Sequence, residues 1–461
     1  MLQVISPYNH QLIKQIPLQG KEEALAALEK AHSLFRDQSK WLPAWQRIEI
    51  LERTAGILQT QVELLTRMAA EEGGKPYADS KVEVERAING VKLAAQYIVQ
   101  LKGEQVPMGI NKASVNRLAF TMTEPIGVVF SISAFNHPLN LVVHQTVTAI
   151  AAGCPVIIKP ASSTPLSCIH FISLLKEAGL PDGWCQVMVC DNETAEMLAG
   201  DERIGYLSFI GSAKVGWHLR SKLAPGTRCA LEHGGAAPVI VAKDAVLAEL
   251  LPALLKGGFY HAGQVCVSVQ RVFVHKDIAE TVVNELAAMA KKLVVGDPLN
   301  TDTEVGPLIS SSEVDRVDEW VGEAVAGGAR LVCGGNKITD TCYEPTILYN
   351  PPPDAKVSVM EIFGPVVCIY EYTDRNEAIR LANSLPLHFQ AAVFTQSLDT
   401  ALDCVNKLNA SSVLVNDHTA FRVDWMPFGG RDASGLGMGG IPYSIREMTR
   451  EKLMVLKSNV I

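Results

Sequence analysis

Between residues 126 and 241 the chain alternates short apolar runs with helix-spaced segments, and this alternation restricts its fold more than any other feature. Six runs read as strands buried on both faces. They are Ile126-Gly127-Val128-Val129-Phe130-Ser131-Ile132, Pro155-Val156-Ile157-Ile158, Gln186-Val187-Met188-Val189, Tyr206-Leu207-Ser208-Phe209, Cys229-Ala230-Leu231 and Val239-Ile240-Val241. The intervening spacing predicts helices over 138–152, 166–178, 193–198 and 213–223. Strands alternating with helices imply right-handed βαβ units and a parallel sheet. Ligands on such sheets sit at the carboxyl ends of the strands.

The flanks extend this plan. Apolar residues three or four apart (Ala24, Leu25, Leu28, Ala31, Phe35, then Ile48, Leu51, Ala55, Leu58, Val62, Leu65) make the first hundred residues helical, with a stop at Gly73-Gly74 and a further helix over 82–101. A second α/β region is expected over 234–430, with strands at 272–274, 366–369, 392–394 and 413–415 and helices at 278–293 and 312–326. The polar, alternating segment 103–124 reads as an exposed hairpin, and 452–461 as a strand. Exposed edges of this kind invite pairing with a second copy.

Composition narrows the function. At 461 residues, with 48% hydrophobic and 20% charged residues, the chain is globular and long enough for two or three domains. A net charge of −8 disfavours a dedicated nucleic-acid binder. No apolar run approaches the ~20 residues of a membrane helix, and the start lacks the basic and apolar regions of an export signal. The ten cysteines show no CxxC spacing and there is no HExxH, so no metal site is expected. The thiols read as reduced, which places the chain in the cytoplasm.

Gly435, Gly437 and Gly440 match a GxGxxG spacing, but Pro427-Phe428-Gly429-Gly430 precedes them and Ile441-Pro442 follows. A dinucleotide fingerprint needs a strand before and a helix after, so a flexible loop is the better reading. More telling, Asn136, Lys159, Gly211-Ser212 and Glu232 each fall at the carboxyl end of an expected strand. Gly211-Ser212 also opens a helix, whose free N–H groups suit a pyrophosphate. Each has a plainer alternative. Asn136 before Pro138 could cap a helix, Glu232 could be a solvated carboxylate, and Cys266 could be a small buried hydrophobe.

Taken together, the motifs resemble the aldehyde dehydrogenase family over nearly the whole chain. The residues that carry this are Glu124-Pro125-Ile126-Gly127-Val128, Phe135-Asn136-His137-Pro138, Ala152-Gly153-Cys154-Pro155 running into Lys159-Pro160-Ala161, and Phe209-Ile210-Gly211-Ser212. Then come Glu232-His233-Gly234-Gly235, Gly263-Gln264-Val265-Cys266, Glu361-Ile362-Phe363-Gly364-Pro365 and Pro427-Phe428-Gly429-Gly430. Asn136-His137-Pro138-Leu139-Asn140 is most similar to the lactaldehyde and phosphonoacetaldehyde dehydrogenase-like branch.

The resemblance implies an α/β fold with a Rossmann-type cofactor domain (1–104 and 124–232), a second α/β catalytic domain (233–430) and a small β oligomerisation arm (105–123 and 446–461). It implies NAD(P)+-dependent oxidation of an aldehyde to a carboxylic acid by a homodimer or homotetramer. Cys266 would be the nucleophile, Asn136 an oxyanion donor and Glu232 the base that hydrolyses the thioester. Lys159, Ser162, Gly211, Ser212, Glu361 and Phe363 would contact the cofactor. Ser162 stands where the family commonly has a glutamate that repels a 2′-phosphate, so NADP+ should be accepted. His137, His418, Arg422 and Trp425 could grip a short, anionic aldehyde, unless Arg422 pairs with Asp424 or a subunit-interface carboxylate and His137 is a packed, hydrogen-bonded core histidine. Ala236 replaces a usual lysine, for which the sequence offers no reading. The competing readings are a catalytically silent cofactor-binding or structural relative, and acyl transfer to CoA or phosphate. The presence of Glu232 argues against the latter.

Overall fold

The computed structural model describes residues 1–460; Ile461, the last residue of the expected arm, lies outside them. Two mainly parallel sheets organise the chain. In the first the strand order is Gly435–Leu436, Arg228–Glu232, Ile204–Ile210, Val128–Ile132, Val156–Lys159, Cys185–Val187. All neighbours are parallel except Gly435–Leu436, which runs antiparallel to the strand ending at Glu232. From Val128–Ile132 the chain winds outward through two strands, then returns to build on the other side. The reversal lies between Val128–Ile132 and Ile204–Ile210, the switch point where α/β sheets open a crevice.

The central strands are apolar because helices cover both faces: Val128, Val129 and Phe130 are all 0% exposed. Helix Asn140–Ala152 is buried along its whole length, as a helix apolar on every side must be. It ends at Gly153, whose left-handed conformation (φ 85°) lets its N–H close onto the last turn.

The second sheet has the order Arg330–Cys333, Thr346–Tyr349, Val366–Tyr372, Val269–His275, Ala237–Val241, Gln390–Phe394, Ser412–Val415. Only its first strand is antiparallel to its neighbour. Strands Gln105–Val106, Arg117–Pro125 and Thr449–Lys457 form a separate three-stranded sheet. Among the described residues no helix is long and apolar enough to cross a membrane.

Several expectations need correction. The start is not wholly helical: Leu2–Ile5 and Leu12–Ile16 form a hairpin. Of its strand residues only Val4 and Ile16 are buried, packed with Val189, too short a pattern to register. The helix expected through Leu65 is two, Ala44–Thr60 and Val62–Gly73, broken at Gln61. The 103–124 hairpin takes its main partner from its own chain, since Arg117–Pro125 pairs with Thr449–Lys457 residue for residue. Strands 330–333 and 346–349 escaped notice. The Gly435 segment is no loose loop but a docked strand, with Gly435 opposite Glu232.

Candidate active site

A cavity of about 580 Å³ opens at the carboxyl end of the first sheet and reaches across to the second. Asn136, Glu232 and Cys266 all line it. Glu232 is the last residue of its strand, and Asn136 sits four residues beyond the end of the strand finishing at Ile132. Cys266 follows a tight turn in which His261, Ala262 and Gly263 all have positive φ (48°, 53° and 71°). A Cβ on Gly263 would lie 2.0 Å from the carbonyl oxygen of Gly364. That contact fastens the thiol loop to the Glu361–Gly364 loop and needs glycine.

Cys266 Sγ lies 4.0 Å from Glu232 Oε1, close enough for the carboxylate to take its proton. Enclosure by protein, and then the Glu232 carboxylate, push the Cys266 thiol well above its ordinary value; the Arg422 guanidinium opposes them. Enclosure also raises Glu232, again against Arg422. Asn136 Nδ2 donates one hydrogen bond of 2.9 Å to the Gln264 carbonyl, which leaves its second N–H for a ligand. Gln264 is itself fixed: its amide donates to His261 O and Pro307 O and accepts from Ile309 N–H. The arrangement places a sulfur nucleophile, an amide donor and a carboxylate base around one space.

At the other end Gly211, Ser212, Glu361 and Phe363 line the same cavity. Glu361 lies against Gly234, where a Cβ would be 1.8 Å from its carboxylate. Burial pushes Glu361 up to about 8, against the Gly235 N–H. Its Oε1 is buried with no partner, as fits an acceptor for a ligand hydroxyl. Phe363 is held at φ 49° with its ring edge-on to Phe135. Ala161 lines the cavity, but Lys159 and Ser162 do not. Lys159 ends its strand in a buried position, and Ser162 is exposed just beyond.

The expected substrate contacts divide. His137 and Arg422 line the cavity; His418 and Trp425 do not. His418 instead packs on Gly257, and Trp425 is 54% exposed. Arg422 is not paired with Asp424. Arg86 binds that carboxylate through two nitrogens, at 2.7 and 3.1 Å, and His144 through Nε2 at 2.8 Å. Burial alone would raise Asp424, but these partners hold its carboxyl well below the usual range. Arg422 is left with its guanidinium 3.6 Å from the centroid of the Phe428 ring and with Nε buried and unpartnered. A half-buried guanidinium with no partner costs free energy unless a ligand anion meets it.

Behind the cavity lie groups that strand-end reasoning missed. Lys75 and Glu83, both fully buried, form an ion pair, and Lys75 also reaches His137. Glu83 did leave a signal: it shares a helix face with Ala87 and Val91, positions that helical spacing reserves for apolar residues.

Comparison with known proteins bears on this geometry. A family model described as "Aldehyde dehydrogenase family" matches residues 1–454. A 3-sulfolactaldehyde dehydrogenase of Priestia aryabhattai is 38% identical over 456 residues, covering 99% of this chain and 94% of that protein. A lactaldehyde dehydrogenase of Methanocaldococcus jannaschii is 37% identical over 460 residues, covering 99% and 97%. A crystal structure of glyceraldehyde-3-phosphate dehydrogenase GapN from the same archaeon, complexed with NADP, superimposes with a TM-score of 0.95 at 36% identity, covering 99% of both chains.

Proposed function

The chain belongs to the aldehyde dehydrogenase family, and from that premise we propose that it oxidises a short 2-hydroxy aldehyde, plain or with an anionic tail, to the carboxylic acid, accepting NADP+ as well as NAD+. One observation carries this reading: Cys266, Glu232 and the unpaired Arg422 guanidinium converge on a single cavity. The relatives named for lactaldehyde and 3-sulfolactaldehyde supply the substrate class, since both compounds are 2-hydroxy aldehydes and the second adds a sulfonate.

Cys266 attacks the aldehyde carbon after Glu232 takes its proton. The oxyanion that forms is met by the free Asn136 N–H and the backbone N–H of Cys266, donors of a kind worth ~3–4 kcal/mol in the transition state. A nicotinamide nucleotide, when bound, supplies the acceptor for the hydride whose loss turns the thiohemiacetal into a thioester. Glu232, having passed the first proton to solvent, withdraws a proton from water as it adds to the thioester, Cys266 leaves as the thiolate, and the acid departs. Glu361 would accept hydrogen bonds from a ribose, Phe363 would pack beside it, and Gly211 and Ser212 would lie along the pyrophosphate. Lys159 and Ser162 would face the far ribose, beyond the cavity's lining. The first sheet thus serves the cofactor and the second carries the thiol. The three-stranded arm, with Leu453, Met454, Val455 and Leu456 exposed, serves a homodimer or homotetramer.

The general test is nucleotide reduction with lactaldehyde, its 3-sulfonate and propanal, using each cofactor; no reduction with any pair would sink the proposal. Two sharper outcomes are expected. Arg422→Met should weaken the sulfonate specifically. Losing a charged hydrogen bond of roughly 1.5–3 kcal/mol lowers kcat/KM for 3-sulfolactaldehyde by about 10- to 100-fold relative to lactaldehyde. Equal losses on both aldehydes would remove Arg422 from the anion site. Ser162→Glu should introduce a carboxylate facing the 2′-phosphate. The ratio of kcat/KM for NADP+ to that for NAD+ should fall by about 10-fold or more, because like charges brought together cost several kcal/mol. An unchanged ratio would place Ser162 away from the ribose.

A further inference from the structure

Lys75 is a buried cation with 0% exposure, and its surroundings dictate the state of a neighbouring ring. Its Nζ donates to Glu83 and lies 2.8 Å from His137 Nδ1. Glu83 Oε1 also accepts the backbone N–H groups of Leu139 and Asn140, at 2.9 and 3.0 Å. Burial lowers the pKa of the Lys75 ammonium, and the Glu83 carboxylate in direct contact opposes this. The donors converging on Glu83 suit a carboxylate, and the ion pair keeps Lys75 an ammonium. An ammonium has three N–H groups and no lone pair. His137 Nδ1 must therefore be the acceptor, and the ring proton sits on Nε2.

The ring is also fixed in place and in charge. It packs near Tyr260 and His261, with ring centroids 6.1 and 6.4 Å away. Burial first, then Lys75, Arg86, His261 and Arg422, hold its pKa well below the ordinary value. Glu83, 3.8 Å from Nδ1, is the one carboxylate paired with the ring among the described residues, and it already forms an ion pair with Lys75. His137 thus offers a neutral Nε2–H on the wall of the cavity that holds Cys266 and Asn136.

We propose that Lys75 is a positioning residue that locks His137 as an Nε2–H donor, and that this donor reads the hydroxyl on the carbon next to the aldehyde. The inference rests on the 2-hydroxy aldehyde class proposed above. A neutral donor suits a hydroxyl oxygen, while the Arg422 cation suits the anionic tail. A site built this way rejects the deoxy analogue because its own N–H is then left unpaired.

The experiment compares the ratio of kcat/KM for lactaldehyde to that for propanal in three proteins. They are the wild type, His137→Phe, and Lys75→Met combined with Glu83→Gln. Phenylalanine keeps a ring beside Tyr260 and His261 but deletes the donor. The paired substitution removes the lock without stranding one buried charge. The ratio should fall by about 10-fold in His137→Phe and several-fold in the paired variant, whereas a mere packing defect lowers both aldehydes together. A ratio unchanged in His137→Phe overturns the inference, and one unchanged in the paired variant overturns the role of Lys75. A wild type that does not prefer lactaldehyde to propanal overturns the substrate class instead. Nitrogen-15 NMR of histidine-labelled wild type reads the lock without relying on the paired variant. The resonance lost in His137→Phe should show an Nε2-protonated ring from about pH 6 to about pH 9; an Nδ1-protonated ring contradicts the lock.

Discussion

Cys266→Ala should lower aldehyde oxidation by about 10⁴-fold or more while leaving nucleotide binding within a few-fold of the wild type. The size of the effect follows from the lack of a substitute. Of the ten cysteines, eight are buried, and Cys229, the other partly exposed one, does not line the cavity. Cys154, Cys168, Cys185 and Cys368 are buried in the core away from the cavity lining, so no aldehyde reaches them. Alanine removes the nucleophile but keeps the backbone N–H and the loop packing. Titration with the reduced and oxidised nucleotides checks the intact half of the prediction, and steady-state turnover the lost half. Retained turnover would mean that the aldehyde is oxidised without a covalent bond to this sulfur.

Glu232→Gln should divide the reaction in time. Acyl-enzyme formation releases one reduced nucleotide per active site as a burst. The steady rate then falls by about 10²- to 10⁴-fold, the usual worth of a positioned base. Rapid-mixing absorbance separates the two phases. Because Glu232 also takes the Cys266 proton, the burst forms more slowly than in the wild type, and an external base should speed it. The pH profile carries a sign. Enclosure raises Glu232, so the carboxylate needed for hydrolysis is lost as pH falls through a value above the ordinary ~4.3. The wild-type acid limb should therefore lie above that value, and the glutamine variant should lack it. A steady rate like the wild type's would shift hydrolysis to another base.

Much of the cavity was legible in the sequence because its residues mark strand ends. Asn136, Glu232 and Gly211 follow short apolar runs set off by helix-spaced segments, and the sheet's winding brings those ends together. The loops resisted the same logic. His418 and Arg422 are four residues apart in an irregular stretch, and no period says which of them faces inward. Only the competition of Arg86 and His144 for Asp424 leaves Arg422 unpaired, and those contacts span 338 and 280 residues of chain. The Lys75–His137 contact spans 62 and joins the end of one helical segment to the start of another. Nothing local announces it. Gly435, opposite Glu232, shows the reverse error: a glycine-rich stretch that looks mobile is held by a strand partner far earlier in the chain.

The most direct test of the account uses the glutamine variant of Glu232 mixed with lactaldehyde and NADP+, quenched in acid within the burst and digested for mass spectrometry. The Cys266 peptide should gain the mass of a lactoyl group, only when both aldehyde and nucleotide are present, and lose it on treatment with hydroxylamine. An unmodified Cys266 peptide after a full burst, or a lactoyl group on any other cysteine, would contradict it.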